Sequence, residues 1–199
     1  MWKIYCYLGF IRLFCCIDFN GQSEVDGTPV VRRVNAVKGR SQGLEGEVEL
    51  AFWRFRLRLS VTWTEAEVTD AGGVTKPARR IPPVFGQAAL VYVHPDRKLS
   101  ASLFVRFAGT QTRLHPSDEK DLRICETSYH SGVLYKDNGE PCPSTPGYAI
   151  LGVTAGWKFH KHARVDLRVS NLLDTSYRVF ASGYPGAGVD GRLTLSAMF

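Results

Sequence analysis

Residues 190–199 read DGRLTLSAMF, and apolar and polar side chains alternate along this segment. One face carries four apolar side chains: Leu193, Leu195, Ala197 and Phe199. The opposite face carries Arg192, Thr194, Ser196 and a single apolar exception, Met198. Because successive side chains of a β-strand point to opposite faces, this alternation predicts a two-faced strand.

The same period of two residues recurs along most of the chain. It is unbroken over residues 55–64 and clear over residues 44–52, 99–108, 148–159 and 163–170. Residues 84–93 also predict a strand, but two registers compete there because both faces are apolar. A helix cannot produce this period. The sequence therefore predicts an all-β protein with about seven strands, or nine if residues 4–14 and 29–37 are included.

The predicted connections alternate between short and long. Trp53-Arg54 and residues 160–162 are tight turns, whereas a polar excursion runs from about residue 110 to residue 146. Tight turns at one end and long loops at the other are typical of an antiparallel, up-and-down transmembrane β-barrel. Two other interpretations remain open at this point. One is a small, complete outer-membrane barrel, and the other is a soluble β-sandwich whose apolar face turns inward.

The composition and the spacing of particular residues argue against several classes of function. The formal net charge is +6, but the arginines are spread through alternating strands, which argues against a nucleic-acid partner. The cysteines and histidines show no metal-ligand spacing, and no nucleophile motif indicates an enzyme. Cys125 and Cys142 lie in one polar segment, and we expect a disulfide between them in an oxidising compartment. No cofactor is expected.

Several motifs resemble those of TonB-dependent outer-membrane receptors. Residues 171–178, NLLDTSYR, resemble the N-L-F-D-x-x-Y-R signature near the end of these receptors. The segment from Asn35 to Glu45 resembles their N-x-x-K-x-x-x-Q-G-x-E pattern, and Thr145-Pro146-Gly147-Tyr148 resembles a strand start of the family. The matching signature residues are Asn171, Asp174, Tyr177 and Arg178, with Phe199 as the final aromatic.

The resemblance implies a location in the outer membrane of a Gram-negative bacterium. It also implies a barrel of about 22 strands around a plug domain, of which residues 29–199 would form the C-terminal part. The expected partners are outer-membrane lipid, the barrel-assembly machinery, for which Phe199 would be a signal, and TonB, through a plug that is absent from this chain. Such receptors take up scarce ligands such as ferric siderophores or cobalamin.

The resemblance also suggests roles for particular residues. In the long loop, Tyr129, His130 and Tyr135 are the expected ligand contacts. Arg54, Arg56 and Arg58 are expected to face the barrel lumen, paired with a neighbouring strand or with the plug. The alternative for this row is an electropositive wall for anionic iron chelates.

Residues 1–28 do not fit the regular pattern. They carry Lys3, Arg12 and Asp18 within an apolar stretch, which disfavours a membrane-spanning helix. No clear signal-peptide cleavage site follows. We therefore expect an irregular or non-native N-terminal segment ahead of a partial barrel that is inactive by itself.

Overall fold

The computed structural model describes residues 38–199 except Arg97, Lys120, Leu122, residues 125–143 and Phe199. Ahead of residue 38 it describes only the backbone of five strands. The first five strands are β1 (Trp2–Ile11), β2 (Cys16–Asp18), β3 (Glu24–Val25), β4 (Thr28–Pro29) and β5 (Arg32–Val34). The others are β6 (Lys38–Phe52), β7 (Phe55–Thr69), β8 (Thr75–Pro77), β9 (Phe85–Val93), β10 (Leu99–Ala108), β11 (Tyr148–His160), β12 (Ala163–Ser170) and β13 (Asp190–Ala197).

One antiparallel sheet contains all the long strands. Its order is β1-β6-β7-β9-β10-β11-β12-β13, and β8 pairs with the far end of β7. From β6 onward, each long strand pairs with the next long strand in the chain, which is up-and-down topology. Among the strands that the structure describes, β1 pairs only with β6 and β13 only with β12, so the sheet has two open edges.

The register places apolar residues of neighbouring strands opposite one another. Leu57 of β7 is opposite both Leu50 of β6 and Leu90 of β9. Leu90 is in turn opposite Leu103 of β10, which is opposite Val153 of β11. The row continues to Val169 of β12. This continuous surface is the apolar face of the sheet.

The other face, the polar face, carries most of the strand charges. Glu49 of β6 is opposite Arg58 of β7, and the two form an ion pair with an Nε–Oε2 distance of 2.9 Å. The hydroxyl oxygens of Ser102 and Thr154 are 2.6 Å apart across β10 and β11. Arg168 and Arg192 are also directly opposite each other, although their charges are alike.

No second sheet covers the apolar face in the part of the chain that the structure describes. Its side chains remain open, with Leu59 40% and Leu103 46% exposed. The buried hydrophobic residues in the described part instead lie in or next to the loops or on the polar face: Phe104, Leu114, Ile124 and Ile150. A soluble sandwich would bury this face, so the structure does not support that interpretation.

The height of the apolar face matches a membrane. On β7 this face is apolar from Phe55 to Trp63 and then becomes acidic at Glu65 and Glu67. Eight residue steps cover about 27 Å along a strand. At a tilt of about 40° this is roughly 20 Å, near the apolar band of about 25 Å expected of a membrane barrel. Trp63 therefore lies at one boundary of the band.

The seven strands predicted from alternation are confirmed as β6, β7 and β9 to β13. The tight turn at Trp53-Arg54 is confirmed too, and Trp53 has a φ of 50° there. Sequence reasoning missed β8, which has only three residues. Although β1 pairs with β6, the separation of residues 1–28 as an irregular or non-native segment stays a prediction.

The two faces of β7 respond differently to a new charge. Leu59 is at the centre of the apolar band, so we expect Leu59→Lys to lower the free energy of unfolding in lipid vesicles by about 2–4 kcal/mol. Ser60 lies on the polar face opposite Glu47, and Ser60→Lys is the matched control with little expected effect. Urea titration in phosphatidylcholine vesicles measures both, and equal losses would contradict the assigned faces.

Candidate functional site at the long-loop end of the sheet

Three long connections meet at one end of the sheet. They join β7 to β9, β10 to β11 and β12 to β13. The short turns after β6, β9 and β11 are at the opposite end. In membrane barrels the longer loops are extracellular, so the long-loop end is where a ligand from outside would first meet the protein.

Asp118 joins two of these connections. Its side chain is almost completely buried, and its carboxylate accepts a hydrogen bond from the backbone N–H of Arg80 at 2.6 Å. The second carboxylate oxygen lies 3.2 Å from Arg79 Nε. A buried carboxylate needs such partners because desolvation of an unpaired charge is costly. Asp118 therefore anchors the β10–β11 connection to the β7–β9 connection.

Asp121 adds a second carboxylate to the same contact. It pairs with Arg123 at 2.7 Å and with Arg80 at 3.3 Å. Hydrogen bonds from the Arg123 side chain hold the pKa of Asp121 well below its usual value, opposed by desolvation and assisted by Arg80. Together Asp118, Asp121 and their arginines form what we call the loop clamp: Arg79, Arg80, Asp118, Asp121 and Arg123.

A small hydrophobic cluster packs the third connection, between β12 and β13, against the β10–β11 connection. Leu114 and Ile124 are buried, with Phe180 and Ala181 of the β12–β13 connection packed against them. Nearby, Gln111 is bound through its backbone to Thr145 and donates its side-chain N–H to Ile81 O at 2.7 Å. The three connections are thus packed on one another above the sheet.

The signature residues organise the β12–β13 connection. Asn171 is 1% exposed and has a φ of 54°. Its side-chain N–H groups donate to Thr175 O at 2.8 Å and Ala187 O at 3.0 Å, while its Oδ1 accepts from Thr175 N. Asp174 accepts a hydrogen bond from Val189 N at 3.2 Å. Asn and Asp tolerate this left-handed backbone and bond to it locally.

Tyr177 and Arg178 complete this arrangement. The Tyr177 ring lies 4.8 Å from the Tyr148 ring, and Arg178 donates to Gly183 O at 3.0 Å. Gly186 must lack a side chain, because an added Cβ would fall inside the Tyr177 ring. The four signature residues therefore hold the loop together and hold its base against β11.

The predicted row of arginines is only partly brought together. Arg56 and Arg58 lie on the polar face of β7. Arg58 forms an ion pair with Glu49, and Arg56 is opposite Val91 on the neighbouring strand. Arg54 lies in the turn, with its guanidinium 4.5 Å from the Trp53 ring. That these residues face a lumen stays a prediction.

Alternation already predicted that Arg106, Arg168 and Arg192 lie on the polar faces of their strands, but it did not predict that pairing brings these strands into one sheet. Arg168 stacks on the Phe104 ring at 4.8 Å, and that ring lies directly over Gly152. Arg106, Arg168 and Arg192 form no ion pair with the residues that the structure describes. The signal in the sequence was weak, because these arginines are far apart and only the register groups them.

The remaining predicted residues lie outside the described part of the chain. These are the expected ligand contacts Tyr129, His130 and Tyr135, the expected disulfide Cys125–Cys142, and Phe199. Among the residues that are described, no three His, Cys, Asp or Glu side chains are grouped as a metal site would require. The described residues also include no helix that is long and apolar enough to span a membrane.

Fold, faces and loop arrangement together define a segment of a transmembrane β-barrel. A family model described as TonB dependent receptor-like, beta-barrel matches residues 17–172, and the chain belongs to this family. The match covers the polar excursion and the strands from β3 to β12.

Solved structures agree with this family. Copper transporter OprC aligns with 98% of this chain and 29% of its own length, at a TM-score of 0.71 and 13% identity. The FrpB iron transporter from Neisseria meningitidis gives the same coverage and TM-score at 16% identity. The siderophore receptor PirA from Acinetobacter baumannii aligns at a TM-score of 0.59 and 20% identity. No curated protein matches the sequence.

At these low sequence identities, the similarity to the solved structures is evidence of a shared fold and not of a shared function. The chain spans 29% of the length of the first two structures, so it corresponds to part of their barrels. All its long strands belong to one open antiparallel sheet, which is a partial barrel segment.

Removal of the buried carboxylate should open the loop clamp. Asp118→Ala removes the acceptor of the Arg80 amide and leaves Arg79 only its longer ion pair with Asp121 at 3.8 Å, at an expected cost of about 1.5–3 kcal/mol. We expect faster hydrogen exchange at the Arg80 amide in this variant. Glu119→Ala, which changes the neighbouring carboxylate, is the control and should leave that exchange rate unchanged.

The loop clamp should also resist acid. Because the folded pKa of Asp121 is depressed, its stabilising effect is complete above the unfolded value of about 3.9 and is lost as the pH falls through the folded value. Arg123→Gln removes the main cause, so the loops should become sensitive to pepsin at a higher pH than in the parent chain. Lys161→Gln, in a short turn, is the control. An unchanged pH profile for Arg123→Gln would contradict this assignment.

Proposed function

We propose that this chain is the C-terminal barrel portion of a receptor that imports a scarce ligand, such as a ferric siderophore or cobalamin, with energy from TonB. The proposal rests on the sheet, in which the pairing of seven neighbouring strands places their apolar side chains on one face. Its opposite face is charged, and its long loops share one end. This arrangement suits a barrel wall between lipid and a polar lumen.

The names of the structural neighbours support a metal-containing ligand. They include a copper transporter, an iron transporter, a ferric-catecholate import receptor and a siderophore receptor. In such a receptor the plug would contact TonB and the polar face of this sheet. Outer-membrane lipid and the barrel-assembly machinery would be its other partners.

We propose the loop between β10 and β11 as the ligand contact, through Tyr129, His130 and Tyr135. The support comes from the two described ends of that segment. Ile124 is buried in the hydrophobic cluster, and Thr145 is bound to Gln111. A scaffold that holds both ends of a loop is the usual setting for a binding loop.

The expected disulfide between Cys125 and Cys142 gains support from the same place. Ile124, which precedes Cys125, and Thr145, which is three residues after Cys142, line one small cavity of about 20 Å³. The two ends of the segment are therefore close together in space.

We also propose that the chain is inactive by itself. The outer edges of β1 and β13 pair with no other described strand. Unpaired backbone N–H and C=O groups cost several kcal/mol each in hydrocarbon, so the sheet needs neighbouring strands to close a barrel.

The test uses the chain alone and a chimera in a Gram-negative host that lacks its own iron receptors. In the chimera the chain replaces the corresponding segment of the FrpB iron transporter, which keeps a plug and the other strands. We expect the chimera in the outer-membrane fraction, and uptake of labelled ferric siderophores or cobalamin only by the chimera and only when TonB is present.

Three outcomes would contradict the proposal. A chimera found in the soluble fraction would contradict the membrane placement. Uptake by the chain alone would contradict its inactivity, and uptake by the chimera without TonB would contradict the energy source.

A further inference from the structure

Four side chains form one row across the last four strands of the polar face. Ser102 of β10 is opposite Thr154 of β11, and Thr154 is opposite Arg168 of β12. Arg168 is in turn opposite Arg192 of β13. Directly opposite residues of an antiparallel pair have Cβ atoms about 4.5–5.5 Å apart. Two hydroxyl groups and two guanidinium groups therefore lie side by side, and we call these four residues the polar row.

The two arginines of the polar row carry like charges at adjacent positions. Like charges directly opposite each other destabilise a strand pair. Both Arg168 and Arg192 are exposed, and neither forms an ion pair with any residue that the structure describes. An anion between the two guanidinium groups would remove this repulsion, so the pair favours a bound anion.

Two carboxylates of the same face lie beside the polar row, and both have other partners. Asp166, two residues before Arg168, is bound by Arg164 Nε at 2.8 Å and by Nη2 at 2.6 Å. Gly156 leaves space for this pair, because an added Cβ would overlap both side chains. Asp190, two residues before Arg192, accepts a hydrogen bond from the Ser170 hydroxyl opposite it, at 3.5 Å. The arginines of the polar row therefore keep their donors free of carboxylates in the described part of the chain.

Phe104 orients one of these arginines. Its ring is 9% exposed and lies over Gly152, where an added Cβ would overlap the ring. The guanidinium carbon of Arg168 is 4.8 Å from the centre of the same ring. A guanidinium that stacks on an aromatic ring keeps the N–H groups in its own plane available to an oxyanion. Arg168 is thus held in one position with its donors free.

The hydroxyl groups add a neutral donor next to Arg168. The Ser102 and Thr154 oxygens are 2.6 Å apart, so one hydroxyl donates to the other. The proton of the accepting hydroxyl is then available to a ligand. With Ser102 as the donor, the free proton belongs to Thr154, directly opposite Arg168.

The charge and the number of donors indicate the class of anion. Each guanidinium can donate two parallel hydrogen bonds to one oxyanion, and the hydroxyl adds another. Two guanidinium groups carry two positive charges, which a dianion balances and a single carboxylate does not. An esterified phosphate carries a charge of about −1.5 to −2 at pH 7 and has three acceptor oxygens. The polar row is therefore better matched to a phosphate group than to a carboxylate or a halide.

We propose that the polar row binds a phosphate group, either inorganic phosphate or the phosphate of a small ester. Phosphate oxygens lie against Arg168 and Arg192, and Thr154 donates to another. Arg168 is two residues before the end of β12 and Arg192 is two residues after the start of β13, so the site is near the long-loop end. This inference goes beyond the proposed function and rests on it only for the position of the site in a lumen.

The test is isothermal titration calorimetry of the full chain in dodecyl maltoside micelles at low salt. The probes are inorganic phosphate and glycerol 1-phosphate, with acetate and chloride as comparison anions. We expect phosphate to bind at least about tenfold more tightly than acetate or chloride. Whichever probe binds more tightly identifies the source of the phosphate group, and failure of both to bind would overturn the proposal.

The variants separate the charge of the site from its geometry. Arg168→Gln and Arg192→Gln each remove charge-assisted hydrogen bonds, so we expect phosphate to bind at least about tenfold more weakly. Phe104→Leu keeps both charges but removes the ring on which Arg168 stacks, with an expected loss of about two- to fivefold. Circular dichroism checks strand content. Arg168→Lys, which keeps the charge without the planar fork, should also weaken binding and serves as the second variant if Arg168→Gln loses strand content.

The matched control is Arg56→Gln. It removes another exposed cation of the polar face that has no ion pair in the described part, but on β7 and outside the polar row. It should bind phosphate as tightly as the parent chain. Binding that is equal for all anions, unchanged in Arg168→Gln and Arg192→Gln, or equally reduced in the control would overturn the proposal. Uptake by the chimera is measured separately, so its failure would count against the proposed function and not against this site.

Discussion

Cross-strand hydrogen bonding holds β6 to β13 in register, and the position of nearly every side chain depends on this constraint. Because the period of a strand is two residues, a shift by one residue would move a whole strand's apolar set to the polar face. In the observed register Leu57, Leu90 and Leu103 form one row, and Glu49 meets Arg58 on the other face. In hydrocarbon, where water cannot replace a lost hydrogen bond, such a sheet has little freedom to slip.

The same register explains how the loops are presented. Long strands end at one level, so three connections meet there and pack on one another through the loop clamp and the cluster around Ile124. The signature residues contribute to this packing, since Asn171 and Asp174 bind backbone groups of their own loop. The signature motif thus stabilises the loop in which it lies.

The two faces of the sheet offer different chemistry to different partners. The polar face presents Arg106, Arg168 and Arg192 without ion pairs in the described residues. The apolar face presents hydrocarbon up to Trp63 and charge above it. A single sheet can therefore separate lipid from a polar interior, and the change of character along β7 marks where the membrane ends.

Alternation alone predicted seven strands, their two faces and the tight turn at Trp53-Arg54, because the period of two is a local property of the chain. It could not choose the register of residues 84–93, where both faces are apolar, and the contact of Leu90 with leucines of both neighbours resolved it. Nor could it find the loop clamp, since Arg79 and Asp118 are distant in sequence. Local chemistry specified the strands, whereas contacts between distant segments exist only once the strands have paired.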